Sequence, residues 1–285
     1  MNEPARNLRV AIVGAGYLGQ AMAREIVEEG HEIVLVSRSK PPILPPNAAF
    51  FECDVTDRDA ISSVARRSGS IDCVIQAVST RGGGESAYRE LYFKTAGRLQ
   101  AAWPEARHLF CGSTSVYAQN NGAWVSEEDP AEPQTETGRI LLETERQVLE
   151  AGGLVARLAG LYGKGRSVYL RKVRDGTAAI DGDGSRFINQ IHCQDAARAM
   201  AMFARSEHLK GVFNVCDGCP LPISEVYQAA AKAVGAPPPP FGGVRNTRRG
   251  ESNKRVSCGK LRGLGWSPRY PSYLDWLLDE SEIAD

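Results

Sequence analysis

Twelve residues near the start, Leu8-Arg-Val-Ala-Ile-Val-Gly-Ala-Gly-Tyr-Leu-Gly19, constrain what this chain can fold into more than any other stretch. The apolar run Val10–Val13 predicts a buried strand that breaks into Gly14-x-Gly16-x-x-Gly19. A helical pattern follows, with Leu18, Met22 and Ile26 stacked four residues apart on one face. Each glycine has a mechanical task in that setting. Gly14 permits a tight turn, Gly16 lets the backbone approach a pyrophosphate, and Gly19 lets the helix pack closely on its strand. The helix N-terminus then offers free N–H groups and a positive dipole end to the phosphates. The reading is a dinucleotide cradle whose contacts come from Gly14, Gly16, Tyr17, Leu18 and Gly19.

The second strand, Glu32–Ser37, qualifies that reading. Chains that bind NAD typically end this strand in Asp or Glu, which holds the ribose 2′-hydroxyl. Here it runs into Ser37-Arg38-Ser39-Lys40, with no carboxylate and a guanidinium instead. Arg38 suits a 2′-phosphate, and a charge-assisted hydrogen bond of roughly 1.5–3 kcal/mol favours NADP over NAD by about tenfold or more. The expected cofactor is NADP(H).

Composition narrows the partners. The chain has 285 residues with Lys plus Arg and Asp plus Glu at 34 each. No global field therefore recruits nucleic acid or an anionic membrane, and no apolar run reaches the roughly 18 residues a membrane span needs. Met1–Arg6 lacks the charged-then-apolar layout of a signal peptide. Of the seven cysteines only Cys216-x-x-Cys219 forms a close pair, without a second pair or a nearby histidine, so no metal site is expected. These features point to a cytoplasmic protein acting on a small-molecule substrate.

Strand and helix patterns alternate through the first half, which predicts a doubly wound parallel sheet. Strands are expected at Ala48–Cys53, Ile71–Val78, His108–Cys111 and Leu154–Leu158. Helices are expected at Arg58–Arg67, capped by Asp57, at Ser86–Ala102 and at Thr137–Glu150. Past about Gly160 the alternation loosens. The expected division is a Rossmann-type domain over residues 1–160 and a smaller substrate lobe over 161–285, with 187–215 returning to the Rossmann core.

Several segments resemble one family, the extended short-chain dehydrogenases/reductases of the NAD-dependent epimerase/dehydratase group. Asp54-Val-Thr-Asp57 resembles its adenine-side motif, Ser113-Thr-Ser-Val-Tyr117 its Ser-x-x-Val-Tyr strand end, and Arg157-Leu-Ala-Gly-Leu-Tyr-Gly163 the segment beside the nicotinamide. Ile191–Ala197, Phe213-Asn-Val215 and Leu264-Gly-Trp-Ser-Pro268 resemble later segments. The resemblance implies further cofactor contacts from Ser37, Arg38, Ser39, Asp54, Val55, Ala77, Val78, Ser79 and Leu158. It also implies a homodimer paired through Ser86–Ala102 and Thr137–Glu150.

The chain departs from the family where the family does its chemistry. Members use Tyr-x-x-x-Lys after the Ser strand, the lysine lowering the tyrosine's pKa. In the frame Pro-x-x-x-Tyr-Gly-x-Ser-Lys-x-x-x-Glu this chain reads Pro133-Gln-Thr-Glu-Thr137-Gly-Arg-Ile-Leu141-Leu-Glu-Thr-Glu145. Thr137 and Leu141 thus stand in the two catalytic places. A glycine the family usually carries one position before Gly14 is Val13. The resemblance makes Ser113 the group that orients a carbonyl, with Thr137, Tyr117 and Lys164 as catalytic candidates and Tyr162 and His192 as further proton sources. Arg166, Arg245, Arg248 and Lys254 are expected to clamp an anionic substrate, since arginine donates two parallel hydrogen bonds to carboxylate or phosphate. Three functions fit. The first is an NADP(H)-dependent oxidoreductase on a small polar or anionic carbonyl or alcohol. The others are a nucleotide-sugar epimerase or dehydratase, and a non-catalytic NADP(H)-binding sensor or scaffold.

Overall fold

Seven strands, most of them buried on both faces, organise the chain, and a computed structural model describes residues 7–80, 82–244 and 252–283. In chain order the main elements are β1 (Arg9–Val13), α1 (Tyr17–Glu28), β2 (Glu32–Ser37), β3 (Ala48–Glu52), α2 (Arg58–Ser68) and β4 (Cys73–Gln76). Helix α3 is Glu85–Tyr88 continued through π-helical Arg89–Lys94 into Thr95–Ala102. Then come β5 (Arg107–Ser113), α4 (Glu136–Glu150), β6 (Leu154–Leu158), α5 (Cys193–Arg205) and β7 (Gly211–Val215). The sheet order is β7-β6-β5-β4-β1-β2-β3, a parallel sheet whose order reverses between β1 and β4. The expected α/β doubly wound fold is the fold observed.

Two compact units make up the chain: residues 1–112, 139–156 and 197–212 in the first, and 113–138, 157–196 and 213–285 in the second. A break at residue 160 is therefore replaced by repeated crossings. Segments 113–138 and 157–196 leave the sheet at strand ends and fold into the second unit, so only part of 187–215 returns to the first.

In the first unit the buried faces of β1, β2 and β4 supply Ala11, Val13, Val34, Val36 and Val74, on which Ile61, Val64, Leu99 and Trp103 close. Helix α1 buries Leu18, Met22 and Ile26, the face that its spacing predicts. Helix α2 starts where expected, because the Asp57 side chain accepts from the N–H groups of Asp59 at 2.8 Å and Ala60 at 3.1 Å. The uninterrupted helix expected over Ser86–Ala102 instead carries a π turn. It is held by the buried Gln76, whose Nε2 donates to Leu91 O at 3.1 Å and Tyr92 O at 2.9 Å, and by Thr95 Oγ1 on Glu90 O.

The second unit is built of short pairings and helices around an aromatic core. Residues Gly160–Tyr162 run parallel to Gln190–His192, and Trp124–Val125 parallel to Arg255–Val256. Tyr162, Tyr227, Tyr273 and Trp276 are fully buried, with the Tyr162 ring 5.0 Å from Tyr273 and 5.2 Å from Trp276. Asp195 pins the chain beside them by accepting from the N–H of Arg269 at 2.6 Å and Tyr270 at 3.1 Å.

Candidate functional site

The turn after β1 is shaped by space rather than by side chains. Gly14 lies at φ +114, a left-handed region that favours glycine, and a Cβ there would sit 2.6 Å from Ala77 O. Its N–H donates to Val36 O at 2.8 Å and the Ala77 N–H donates to Val13 O at 2.8 Å, so the turn is tied to both neighbouring strands. A Cβ on Gly19 would meet Gly14 O at 1.9 Å; only glycine lets α1 approach its own loop so closely. Gly16 is different. It is exposed, has φ −77, and a Cβ there would meet nothing within 4 Å. Two glycines are thus required by the protein's own packing, while the third leaves open the space before the N-terminus of α1. That is the cradle a pyrophosphate needs, and these residues fit a dinucleotide.

The neighbouring strand ends supply the flanks. At the end of β2, Ser37 Oγ donates to Ser39 O at 2.7 Å, which spends that hydroxyl within the loop, while Arg38 is exposed. Asp54 accepts from Thr56 N–H at 2.9 Å and Thr56 Oγ1 at 2.8 Å. Those bonds, helped by the Arg38 and Arg98 guanidinium groups, hold its carboxyl below the usual carboxylate range. Val55 is buried, its carbonyl accepting from Thr95 Oγ1 at 3.4 Å. Ala77 and Val78 form the backbone wall against Gly14, and Ser79 follows them at the carboxyl end of β4.

A second constellation lies in the other unit. Ser113 ends β5, and its Oγ accepts from Ser115 N–H at 3.2 Å, capping the turn Thr114–Val116 without using the hydroxyl hydrogen. Thr137 lies in the first turn of α4, its Oγ1 3.3 Å from Thr135 Oγ1. Pro133 packs so tightly on Gly138 that a Cβ there would lie 2.5 Å from the proline Cβ, which fixes the start of the helix. One turn on from Thr137 stands Leu141, buried.

Tyr117, expected as a proton source, lies inside the protein with its hydroxyl engaged. It is wholly buried and donates to Asn214 Oδ1 at 2.9 Å, with Arg157 4.8 Å over its ring. Burial pushes its phenol above the ordinary tyrosine range, and Asn214 is itself held by Glu127 Oε1 at 2.6 Å. Tyr162 and His192 are buried likewise. Burial raises the Tyr162 phenol and lowers the His192 imidazole, against the pull of Asp195 and of Glu282 3.4 Å away. Tyr162 and His192 pack in the aromatic core, their rings 5.4 Å apart.

Among the remaining candidates, Lys164 is exposed and donates to Ser281 O at 3.1 Å, while Arg166 closes a tight backbone bridge with Gly163. Lys254 is not a surface cation; it is buried, its Nζ 3.0 Å from Ser252 Oγ. Leu158 is buried at the end of β6. Arg245 and Arg248 lie outside the described residues. Among those that are described, no group of three His, Cys, Asp or Glu side chains is placed to hold a metal ion, and no helix is long and apolar enough to cross a membrane.

Two features were missed by sequence reasoning. Asp217, in the Cys216–Cys219 turn, is almost completely buried, and burial drives its carboxyl well above the usual carboxylate range. Tyr92, on the π turn, packs its ring 5.0 Å from Tyr88 and 6.1 Å from Phe110 on β5. Neither carries a motif, and a tyrosine in a helix reads as packing.

The description of the NAD dependent epimerase/dehydratase family matches residues 10–216. The chain belongs to that family. Membership brings a nicotinamide dinucleotide as its cofactor class. A 3-diazoavenalumate denitrifying reductase from a Streptomyces species is 26% identical over 95% of this chain and 99% of that protein. A UDP-glucose 4-epimerase from Streptomyces lividans is 25% identical over 90% and 89% respectively. In fold, the chain is similar to the Thermus thermophilus UDP-glucose 4-epimerase solved with NAD, with a TM-score of 0.83 at 20% identity over 95% of this chain and 96% of the other.

Proposed function

We propose that this family member is an NADPH-dependent reductase of a small polar or anionic carbonyl compound. The observation that carries the reading is the first turn of α4. There and one turn on, in the places where the resemblance puts the family's acid–base pair, stand an aliphatic hydroxyl, Thr137, and a buried hydrocarbon, Leu141. An epimerase must take a proton from a substrate hydroxyl and give it back, which needs a group poised near neutral pH. Thr137 beside Leu141 is no such group. Reduction asks less, because the proton is taken up once and in one direction.

When bound, the dinucleotide supplies hydride. The chain's residues bind and orient. Gly16 and the N-terminus of α1 receive the pyrophosphate. Arg38, exposed at a strand end without a carboxylate, pairs with the 2′-phosphate and selects NADP over NAD. Ser113 keeps its hydroxyl hydrogen to donate to the substrate's carbonyl oxygen. Similarity along nearly the whole length to a protein named as a reductase supports the same direction.

The test is a panel of small aldehydes, ketones and keto acids offered to the purified chain with NADPH, following loss of the reduced nicotinamide's absorbance. At least one should be reduced, and Ser113→Ala should slow its turnover. Interconversion of UDP-glucose and UDP-galactose without net NADPH loss would overturn the proposal in favour of an epimerase. Tight NADPH binding with no oxidation anywhere in the panel would replace it with a sensor.

A further inference from the structure

In the second unit one guanidinium is fixed at one end and open at the other. Residues Arg255–Val256 run parallel to Trp124–Val125, with Arg255 opposite Trp124. The Arg255 guanidinium carbon lies 5.3 Å from the centre of the Trp124 ring and 5.0 Å from that of Phe187. Its Nε donates to Gly122 O at 2.7 Å, which fixes the direction of the fork. Gly122 N–H donates to Asn253 O at 2.8 Å, and Asn253 Oδ1 accepts from Phe187 N–H at 3.0 Å. The elements around the guanidinium are thus bonded to one another.

The rest of the fork is uncommitted. Among the described residues neither Nη atom of Arg255 has a hydrogen bond, and no carboxylate pairs with it. Arg186, the residue before Phe187, shows the ordinary alternative. It too is half-buried, and Asp181 meets it with two bonds of 2.9 and 3.0 Å. A guanidinium packed against two rings has lost part of its hydration, while the ring faces favour its charge. Its Nη edge presents two parallel donors to an oxyanion. Arg255 supplies one charge; the preceding Lys254 is buried, its Nζ 3.0 Å from Ser252 Oγ. One fork and one charge suit a carboxylate, whereas a dianionic phosphate asks for a second cation. Trp124, 50% exposed, adds apolar surface for the body of the molecule.

The fork stands on the frame that carries Ser113. From Ser113 the chain passes through the turn Thr114–Val116 to Tyr117, whose hydroxyl donates to Asn214 Oδ1. Asn214 Nδ2 donates to Ser257 O at 3.1 Å, and Ser257 N–H to Val125 O at 2.8 Å. Ser113 and Arg255 both belong to the second unit. We propose that Arg255 binds the substrate's carboxylate and thereby makes this chain a reductase of oxo acids. Arg255 selects and holds the acid, and Ser113 meets the carbonyl oxygen. The carbonyl carbon takes hydride from the reduced dinucleotide and its oxygen takes a proton from water, giving the hydroxy acid with its carboxylate unchanged.

This proposal rests on the reductase reading, and two measurements separate them. In protein carrying ¹⁵N-labelled arginine, the Nε resonance of Arg255 is assigned by its loss in Arg255→Gln. Benzoate should shift that resonance saturably, benzyl alcohol should not, and phenyl phosphate should bind several-fold more weakly than benzoate. In the NADPH assay an oxo acid such as phenylglyoxylate should be reduced with a KM about tenfold or more below that of its methyl ester. Arg255→Gln should raise the KM for the acid by about tenfold or more, with a far smaller change in kcat. A resonance that ignores benzoate overturns the anchor whatever the assay gives. Equal KM values for acid and ester, or reduction confined to uncharged carbonyl compounds, overturn it as well. Tighter binding of phenyl phosphate than of benzoate overturns the choice of carboxylate. Saturable benzoate binding at Arg255 in a protein that reduces nothing overturns the reductase reading and supports the anchor alone.

Discussion

Gly16 and Gly19 lie three residues apart, and the structure assigns them opposite consequences. A valine at Gly16 enters open space, since nothing lies within 4 Å of the new Cβ, at a φ of −77 that any residue adopts. Replacing glycine in a compatible conformation reduces unfolded-state freedom, so stability should stay level or rise by up to about 1 kcal/mol. The same side chain fills the space proposed for the pyrophosphate. Losing one charge-assisted hydrogen bond of about 1.5–3 kcal/mol should weaken NADPH binding by about tenfold to a hundredfold. Gly19→Ala does the reverse at first. Its Cβ would lie 1.9 Å from Gly14 O, a backbone atom of a residue whose N–H is bonded to β2, and overpacking of that kind costs roughly 1–3 kcal/mol. Thermal melting by circular dichroism, with NADPH fluorescence titration at a temperature where all variants are folded, reads both quantities. Gly16→Val should melt with the wild type and bind poorly; Gly19→Ala should melt several degrees lower. A Gly16→Val protein that binds NADPH as the wild type does, or that melts with Gly19→Ala, refutes the division of labour.

Two further outcomes follow from single side chains. Arg38→Ala should weaken NADPH binding by about tenfold or more and leave NADH binding unchanged, measured by paired calorimetric titrations; equal effects on both would remove the 2′-phosphate from this position. Asp217 gives a pH dependence with a definite sign. Its folded pKa is raised, so the native state holds the proton more tightly than the unfolded chain. Stability therefore falls as pH climbs from its ordinary 3.8 toward the raised folded value. Asn keeps the acceptor for Cys219 N–H, now at 2.9 Å, and carries no charge. Asp217→Asn should melt higher than the wild type at pH 8, with the gap closing toward pH 4; an equal gap at both pH values would contradict the assigned cause.

The sheet was legible because its rules are local. Apolar runs such as Val10–Val13 and Ile33–Val36 are buried on both faces, and a strand so placed has almost no polar alternative. Asp57 could be read as a cap because the cap is made within three residues. What sequence could not reach depends on distant partners. The π turn in α3 exists because Gln76, 15 and 16 residues away, supplies donors to its carbonyls. Tyr117 reads as a proton source from its motif, while its hydroxyl is held by Asn214, 97 residues on. Lys254 looked like part of a basic surface, and burial beside Ser252 is not written in its neighbours. The division into units also escaped, since strand ends that lead outward into the second unit read like ordinary loops.

A crystal structure of the chain with NADP⁺ tests the central claim most directly. The account predicts the pyrophosphate against Gly16 and the first N–H groups of α1, with the 2′-phosphate within hydrogen-bond distance of Arg38. A pyrophosphate seated anywhere else, with the space before Gly16 left to solvent, would contradict it.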